Sequence, residues 1–321
     1  MTETHPKISV VIPTYNRAAL ILKTLDSVFR QSYSAHEIIV VDNCSSDDTN
    51  EILEPLIQNR KIRYVRHDKN YERARSRNTG MANATGTFLC FHDSDDLMYP
   101  DCLSTVAKII SENPHFKLFH CLYELIDTEG NLIHKYRFPA LKDSKQAIAD
   151  GNFLSCIGVF LHRDIYQSFK FDLNPDFIGS EDYEFWLRVI ASYDLYRIDK
   201  VLCGMVHHGG RSILHMDIDA TARRRLKIIE KIRLDPGLSK AYAPYLSSLP
   251  AHAYAYVATV ANSNAEYSKS LQYLLKAILS GPRVLLKPKF YRTFLLASLR
   301  INPNLIYRFR RRNRFGSVMA S

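Results

Sequence analysis

The stretch "KISVVIPTYNR", residues 7–17, decides the fold. Its first part, KISVVIP (7–13), is short, β-branched and apolar, which is typical of a strand buried on both faces. The polar turn TYNR follows. Ile21, Leu25 and Val28 then recur at helical spacing. A buried strand followed by a helix predicts the first half of a βαβ unit.

The same alternation continues over the first hundred residues. Apolar strands are predicted at EIIVV (37–41), at 62–65 and at TFLCF (87–91), and helices at NEILEPLI (50–57) and ERARSRNTGMANA (72–84). Strands that alternate with helices indicate an α/β fold with a Rossmann-like, mostly parallel sheet flanked by helices.

The pattern changes after residue 115. The segments KLFHCLYELID and NLIHKYRF flank the turn TEGN, which predicts an antiparallel pair. One more strand is expected at 155–162, and an amphipathic helix at 181–191, where Trp186 faces the core rather than a sugar. From about residue 216 the segments read as helices that break at prolines, namely Pro236, Pro244, Pro250 and Pro282.

Composition limits the class of protein. The 321 residues are 46% hydrophobic and 24% charged, as in ordinary globular proteins. We find neither a spanning apolar run nor an apolar leader segment, so a cytoplasmic location is expected. The six scattered cysteines favour buried, reduced thiols over disulfides or a zinc site.

The net charge of +10 comes from the end of the chain. After Glu266 there are 12 basic residues and no acidic one, which leaves 31 basic against 33 acidic residues before it. Apolar and aromatic residues are interleaved with these charges, and Phe290, Phe294 and Leu295 would share one stripe of a helix. The pattern predicts a segment lying on an anionic membrane, and the alternative is a basic helix packed on the catalytic domain. No motif for nucleic-acid binding is present.

Polar residues follow three of the predicted strands where each strand ends. The motifs are TYN, DN and the aspartate cluster FHDSDD (91–96). In open α/β sheets ligands bind beyond the carboxyl ends of strands, so these loops should form one site. Asp93 and Asp95 would point to the same face and share a divalent ion, although such a cluster also suits a plain turn.

Glycine-rich phosphate loops are missing from the sequence. This argues against a nicotinamide dehydrogenase and against a P-loop enzyme. The charge of a bound nucleotide would have to be neutralised by a metal and by Arg73, Arg75 and Arg77, unless these arginines form a solvated helix face.

Five blocks together resemble one known family. "SVVIPTYNR", "IIVVDNCSSDDT", "ARSRNTG", "FHDSDD" and "GSEDYEFWLR" are similar in order and spacing to the family 2 glycosyltransferases, inverting sugar-nucleotide enzymes with the GT-A fold. The resemblance covers residues 7–211. It implies a catalytic domain at 1–215, with a nucleotide-binding half (1–100) and an acceptor-binding half (101–215), and a helical basic region at 216–321.

The resemblance also implies roles for individual residues. Those assigned to the nucleotide are Pro13, Thr14, Tyr15, Asn16, Asp42, Arg77, Asn78 and Asp93. The candidate ligands for Mn²⁺ or Mg²⁺ are Asp95, Asp93, Asp96 and His208. Asp182 matches the general base and Glu181 an acceptor-binding group, with a helix N-cap as the alternative for Asp182.

The implied reaction is transfer of a sugar from a nucleotide-sugar donor, most commonly a UDP-sugar, to a glycan or lipid-linked glycan. The protein would then lie peripherally on the inner face of the cell membrane. Two alternatives are a sugar-phosphate nucleotidyltransferase and an inactive sugar-binding relative. The first usually needs a glycine-rich loop that TYNRAAL lacks, and the retained carboxylates speak against the second.

Overall fold

The computed structural model describes residues 5–139, 141–209 and 217–303. The described residues form two compact units. The first takes those within Met1–Ser144, Leu154–Leu173 and Glu181–Val206, and the second takes those within Lys145–Phe153, Asn174–Ser180 and His207–Ser321.

The first unit is built on one mixed sheet. Its strands are β1 (Ile8–Thr14), β2 (Glu37–Asp42), β3 (Arg63–Arg66), β4 (Phe88–Phe91), β5 (Leu97–Met98), β6 (Leu118–Ile126), β7 (Leu132–Lys135), β8 (Val159–His162) and β9 (Leu195–Val206). The strand order is β3-β2-β1-β4-β8-β6-β9-β5, and β7 pairs with β6. The four strands from β3 to β4 are parallel, as predicted.

Helices flank this sheet, and the first three follow the strands in the predicted alternation. They are α1 (Ile21–Phe29), α2 (Thr49–Gln58), α3 (Arg73–Asn83), α4 (Cys102–Glu112), α6 (Arg163–Ser168) and α7 (Glu181–Ser192), and α5 (Ser144–Ala149) falls mostly in the second unit. Every residue of β1 is buried. The apolar run that opens the sequence therefore forms the middle of the parallel part of the sheet.

Four elements of the first unit were not predicted from the sequence, namely α4, α6, β5 and β9. The first, α4, has its buried residues Leu103, Val106 and Ile110 at ordinary helical spacing. This helix could therefore have been predicted from the sequence. The 12-residue strand β9 could not have been predicted from its sequence pattern, because its middle is charged and exposed. It is held by parallel pairing with β6. The antiparallel pair β6–β7 and the α7 helix, with Trp186 fully buried, are confirmed.

The second unit is helical, as expected for the end of the chain. Its helices are α8 (Ile218–Leu234), α9 (Pro236–Ala241), α10 (Leu249–Ser263), α11 (Tyr267–Ser280) and α12 (Pro288–Ser298), with a 3₁₀ helix at Pro282–Leu286. Pro236 and Pro282 begin elements, whereas Pro250 lies inside the first turn of α10. Within the described parts of the chain, no helix is both long and apolar enough to cross a membrane.

Two expectations fall partly on undescribed residues. The boundary expected at residue 215 lies outside the described residues, as do the last five cations of the tail, Arg308, Arg310, Arg311, Arg312 and Arg314. All six cysteines are free, and five of them are buried.

Candidate active site at the strand ends

The loops after β1 and β2 are tied to each other by hydrogen bonds. Asn16 adopts a positive φ of 50°, and its side-chain oxygen accepts a hydrogen bond from the backbone N–H of Ser46 at 2.8 Å. The backbone N–H of Asn16 donates to Ser45 Oγ at 2.9 Å. This pairing leaves the neighbouring Tyr15 ring 40% exposed at the rim, while Pro13 and Thr14 are buried in β1.

Asp42, the last residue of β2, is fully buried and holds the loop that follows. One carboxylate oxygen accepts hydrogen bonds from the backbone N–H and hydroxyl of Ser45, at 2.9 and 2.6 Å. The other accepts one from the Tyr64 hydroxyl at 2.5 Å. Burial and this hydrogen bond raise the pKa of Tyr64 above its ordinary value. A hydrogen bond from Asp42 to the nucleobase stays a prediction.

Arg77 connects two acidic groups that are distant in sequence. Its side chain is 4% exposed, and its two terminal nitrogens lie 3.3 Å from carboxylate oxygens of Asp93 and Glu181. Arg73, one turn earlier on α3, reaches the same oxygen of Glu181 at 2.8 Å. Burial works against the charge on Arg77, but the acidic neighbours outweigh it and raise the pKa of Arg77. The first turn of α7 is thereby linked to the aspartate loop.

The three aspartates of the cluster have different surroundings. Asp95 is partly exposed and forms an ion pair with Arg17, with 3.4 Å between the nitrogen and oxygen atoms. Asp96 is fully buried, and its Oδ1 accepts a hydrogen bond from the backbone N–H of Val206 at 2.8 Å. The backbone carbonyl of Asp96 also accepts a hydrogen bond from Thr24 Oγ1 at 3.0 Å. Asp96 therefore anchors the loop, and Asp93 and Asp95 present their carboxylates at its surface.

Asp182 lies in the first turn of α7, beside Glu181. Its side chain is partly exposed, and Oδ1 accepts a hydrogen bond from the backbone N–H of Tyr183 at 2.7 Å. Asp182 is close enough to Arg77 to contribute to the electrostatic stabilisation of its charge. The structure thus brings the predicted base to the same cluster as Asp93 and Glu181.

Two other predicted site residues, Asn78 and His208, are not among the contacts of this acidic cluster described above. The Asn78 side chain donates to and accepts from the backbone of Phe171, at 2.9 and 2.8 Å, so it braces that segment. A nucleotide contact by Asn78 stays a prediction. His208 belongs to the second unit, and its role as a metal ligand likewise stays a prediction.

The sequence did not reveal the roles of Arg17 and Tyr64. Arg17 was visible as part of the TYNR turn, and the only available signal was a cation at a strand end. Tyr64 lies in β3, where an aromatic residue reads as ordinary strand sequence. Their acidic partners, Asp95 and Asp42, become neighbours only through the pairing of the parallel strands.

The first unit matches a known protein family. The family model described as Glycosyl transferase family 2 matches residues 9–165. An uncharacterized glycosyltransferase of Haemophilus influenzae is 30% identical over 183 residues, which cover 57% of this chain and 71% of that protein. The chain belongs to glycosyltransferase family 2.

Other relatives of this family 2 chain differ in how much of their length it covers. An uncharacterized glycosyltransferase of Rickettsia conorii is 30% identical over 82% of the chain, which spans only 43% of that relative. A Campylobacter jejuni protein, GalNAc(5)-diNAcBac-PP-undecaprenol beta-1,3-glucosyltransferase, is 27% identical over 88% of the chain and 92% of its own length.

Solved structures of similar shape have the GT-A fold, as predicted for this glycosyltransferase. S. aureus TarS in complex with UDP-GlcNAc has a TM-score of 0.62 and 18% identity, covering 85% of this chain and 89% of TarS. The Pyrobaculum calidifontis mannosyltransferase PcManGT in complex with GDP-Man and Mn²⁺ has a TM-score of 0.61 and 18% identity, covering 94% of this chain and 87% of that one.

Proposed function

We propose that this chain is an inverting glycosyltransferase that moves a sugar from a nucleotide diphosphate sugar to a hydroxyl of a glycan or lipid-linked glycan. The observation that carries the proposal is the cluster in which Arg77 joins Asp93 to Glu181, next to Asp182. Carboxylates and guanidinium groups that converge at the ends of parallel strands suit a site for a charged, hydroxyl-rich ligand.

The donor is proposed to bind across the loops after β1, β2 and β4. The exposed Tyr15 ring offers an apolar face for the nucleobase, and Arg17 and Arg77 supply positive charge for the diphosphate. We favour a UDP-sugar, because UDP-GlcNAc is bound in TarS. GDP-Man is bound in PcManGT, and a screen of donors separates the two.

A divalent ion, Mn²⁺ or Mg²⁺, fits the aspartate loop. Asp95 and Asp93 present partly exposed carboxylate oxygens, the ligand type that both ions prefer, and Arg17 and Arg77 are the cations that now balance their charge. Asp95 would hold the ion, with Asp93 beside it. When bound, the ion stabilises the charge that develops on the diphosphate. Support also comes from the Mn²⁺ in PcManGT.

Asp182 is proposed as the general base. In the transfer step its carboxylate takes the proton of the acceptor hydroxyl, whose oxygen forms a bond to the anomeric carbon. The bond from that carbon to the diphosphate oxygen breaks, and the diphosphate leaves with the electron pair. Attack from the opposite face inverts the configuration. Glu181, held by Arg73 and Arg77, would fix the first turn of α7 against this loop.

The second unit is proposed to rest on an anionic membrane surface and so bring the site to a lipid-linked acceptor. Exposed apolar side chains occur along α11, the 3₁₀ helix and α12: Leu275, Leu279, Leu286, Tyr291, Phe294, Leu295 and Leu299. Basic residues lie among them, and no acidic residue follows Glu266. Apolar surface combined with positive charge is typical of interfacial binding. Support for a lipid-linked acceptor comes from the C. jejuni relative.

The test is a thermal-shift screen of nucleotide-sugar donors, followed by donor hydrolysis with and without Mn²⁺. A bound donor stabilises the folded chain, by about 2.7 kcal/mol at a hundredfold excess over Kd. We expect one nucleotide class to raise the Tm and to be hydrolysed only with metal. A chain that binds no nucleotide sugar, or that condenses a nucleoside triphosphate with a sugar phosphate, would contradict the proposal.

A further inference from the structure

We propose that Cys102, Cys121 and Cys203 hold one soft metal ion of the zinc type inside the first unit, with His92 as the fourth ligand. The three sulfur atoms lie within 4.8 Å of one another, and none of the three residues is exposed. They come from three different elements, α4, β6 and β9. No other group of three metal-binding side chains comes this close together among the described residues.

The size of the sulfur triangle suits such an ion. Zinc binds thiolate sulfur at about 2.3 Å with tetrahedral geometry, which separates two sulfur ligands by about 3.8 Å. The observed upper limit of 4.8 Å therefore requires the sulfurs to approach by about 1 Å or less on binding.

The buried imidazole of His92 is a second observation that points to a metal ion. It is fully buried, and neither ring nitrogen has a hydrogen-bond partner among the described residues. His92 directly follows β4, and its backbone N–H continues the ladder with β1 by donating to the carbonyl of Val11 at 2.9 Å. Cys90, two residues earlier, lies in the same buried core as the three cysteines, so His92 points to the same face of the sheet as that core.

Gly158 leaves room beside the sulfur of Cys121. A Cβ atom at this position would lie 3.1 Å from the sulfur of Cys121, closer than ordinary contact, and the glycine has a φ of +76°. The space beside the Cys121 sulfur therefore depends on glycine. An imidazole buried without a partner is destabilising, and a metal–nitrogen bond would offset this cost.

This ion would be distinct from the catalytic one. Sulfur ligands select soft ions, whereas the carboxylates of Asp93 and Asp95 suit Mg²⁺ or Mn²⁺. Binding requires thiolates, so the three thiol protons pass to solvent and the affinity rises with pH. Because the sulfurs are buried, we expect the ion to enter as the chain folds.

The test uses the full chain produced in cells grown with added zinc and purified under reducing conditions without chelators. We expect about one zinc per chain by elemental analysis, and X-ray absorption should give three sulfur neighbours at about 2.3 Å and one nitrogen. Cys121→Ser and Cys203→Ser should lose the zinc. Cys90→Ser is the matched control, because Cys90 is equally buried in the same core but lies outside the triangle.

Two further variants sharpen the result. His92→Gln should replace the nitrogen neighbour and leave the sulfur shell, and Asp95→Ala should retain the zinc. If the cysteine variants do not fold, the absorption spectrum of the wild-type protein decides the question. A wild-type chain without zinc, or zinc surrounded only by oxygen and nitrogen, would overturn the proposal.

Discussion

Arg77 and Asp93 form an ion pair at 3.3 Å, and the same guanidinium reaches Glu181 at 3.3 Å. The pair with Asp93 joins α3 to the loop after β4. The contact of Arg77 with Glu181 joins both of these to α7. Because the Arg77 side chain is almost completely buried, its charge is compensated by these two carboxylates rather than by solvent.

Arg77→Gln should therefore destabilise the first unit. Breaking a buried ion pair by removing one partner costs roughly 3–5 kcal/mol, and the residual pair between Arg73 and Glu181 places the expected loss at the lower end. Urea unfolding measures it. Arg75→Gln is the matched control, since Arg75 is exposed on the same helix and should change the free energy of unfolding by less than about 1 kcal/mol. Equal effects of the two variants would show that the ion pairs of Arg77 contribute nothing.

Asp95→Ala should abolish transfer and remove the effect of metal on donor binding. The reason is that Asp95 is the proposed ligand through which the ion is held beside the diphosphate. Calorimetric titration of the donor with and without Mn²⁺ should give equal affinities in this variant and different ones in the wild type. The control is Asp26→Ala, which removes an exposed carboxylate of α1 that pairs with Arg30. Transfer by Asp95→Ala at near wild-type rate would refute the metal assignment.

Asp182→Asn should leave donor affinity nearly unchanged and lower turnover by roughly two or more orders of magnitude, the usual loss for a general base. Single-turnover transfer and donor titration separate the two effects. Asp194→Asn, an exposed site just after α7, should behave as wild type. If donor affinity fell together with the rate, Asp182 would have a structural role instead.

His120 should make the stability fall as the pH is lowered below about 6.5. Burial, with the nearby Arg197, lowers the pKa of His120 to about 3, so the folded chain keeps this imidazole neutral while the unfolded chain binds a proton below its reference pKa of about 6.5. The contribution of neutral His120 to the free energy of unfolding is fully present above pH 6.5. It decreases by about 1.4 kcal/mol per pH unit as the pH falls from 6.5 toward the pKa of the folded state.

Unfolding titrations between pH 5 and 6.5, roughly the upper part of this window, test the prediction. His120→Phe should reduce the slope of the free energy of unfolding against pH by the equivalent of about one bound proton. The phenyl ring would pack against Phe138 and Tyr123 and would not titrate. His36→Gln changes an exposed imidazole and should keep the wild-type slope. An unchanged slope in His120→Phe would contradict the prediction.

The doubly substituted Leu295→Glu/Leu299→Glu chain should lose binding to anionic vesicles in flotation. Both leucines are more than half exposed, Leu295 on α12 and Leu299 directly after its last residue, and a negative charge at these positions opposes binding to an anionic surface. The wild-type chain should float and be released by high salt. Leu234→Glu, at an exposed leucine ending α8, should float like the wild type.

Substitution is a sharper test than removal of the tail after Gly281. Val284 and Phe290 are buried in the core of the second unit, so truncation would disturb the fold as well as the surface. The sequence pattern had placed Phe290 on the membrane-facing stripe with Phe294 and Leu295. That placement of Phe290 is wrong, because only the latter two are exposed. If the double variant floats as well as the wild type, the membrane proposal fails.

The sequence alone determined the parallel half of the sheet and the position of the candidate site. The run that forms β1 is apolar throughout because it is buried on both faces, and polar motifs follow β1, β2 and β4 where ligands bind. These signals are local, because the residue types within a short stretch of chain indicate whether a strand is buried and where it ends. Five such blocks were sufficient to identify the family.

Only the tertiary structure decided which side chains meet. Arg77 and Glu181 are 104 residues apart, and the three clustered cysteines come from separate elements. The charged strand β9 is held by its pairing with β6, whatever its own sequence pattern suggests. Such contacts depend on how distant segments pack, and no spacing within a single segment carries that information.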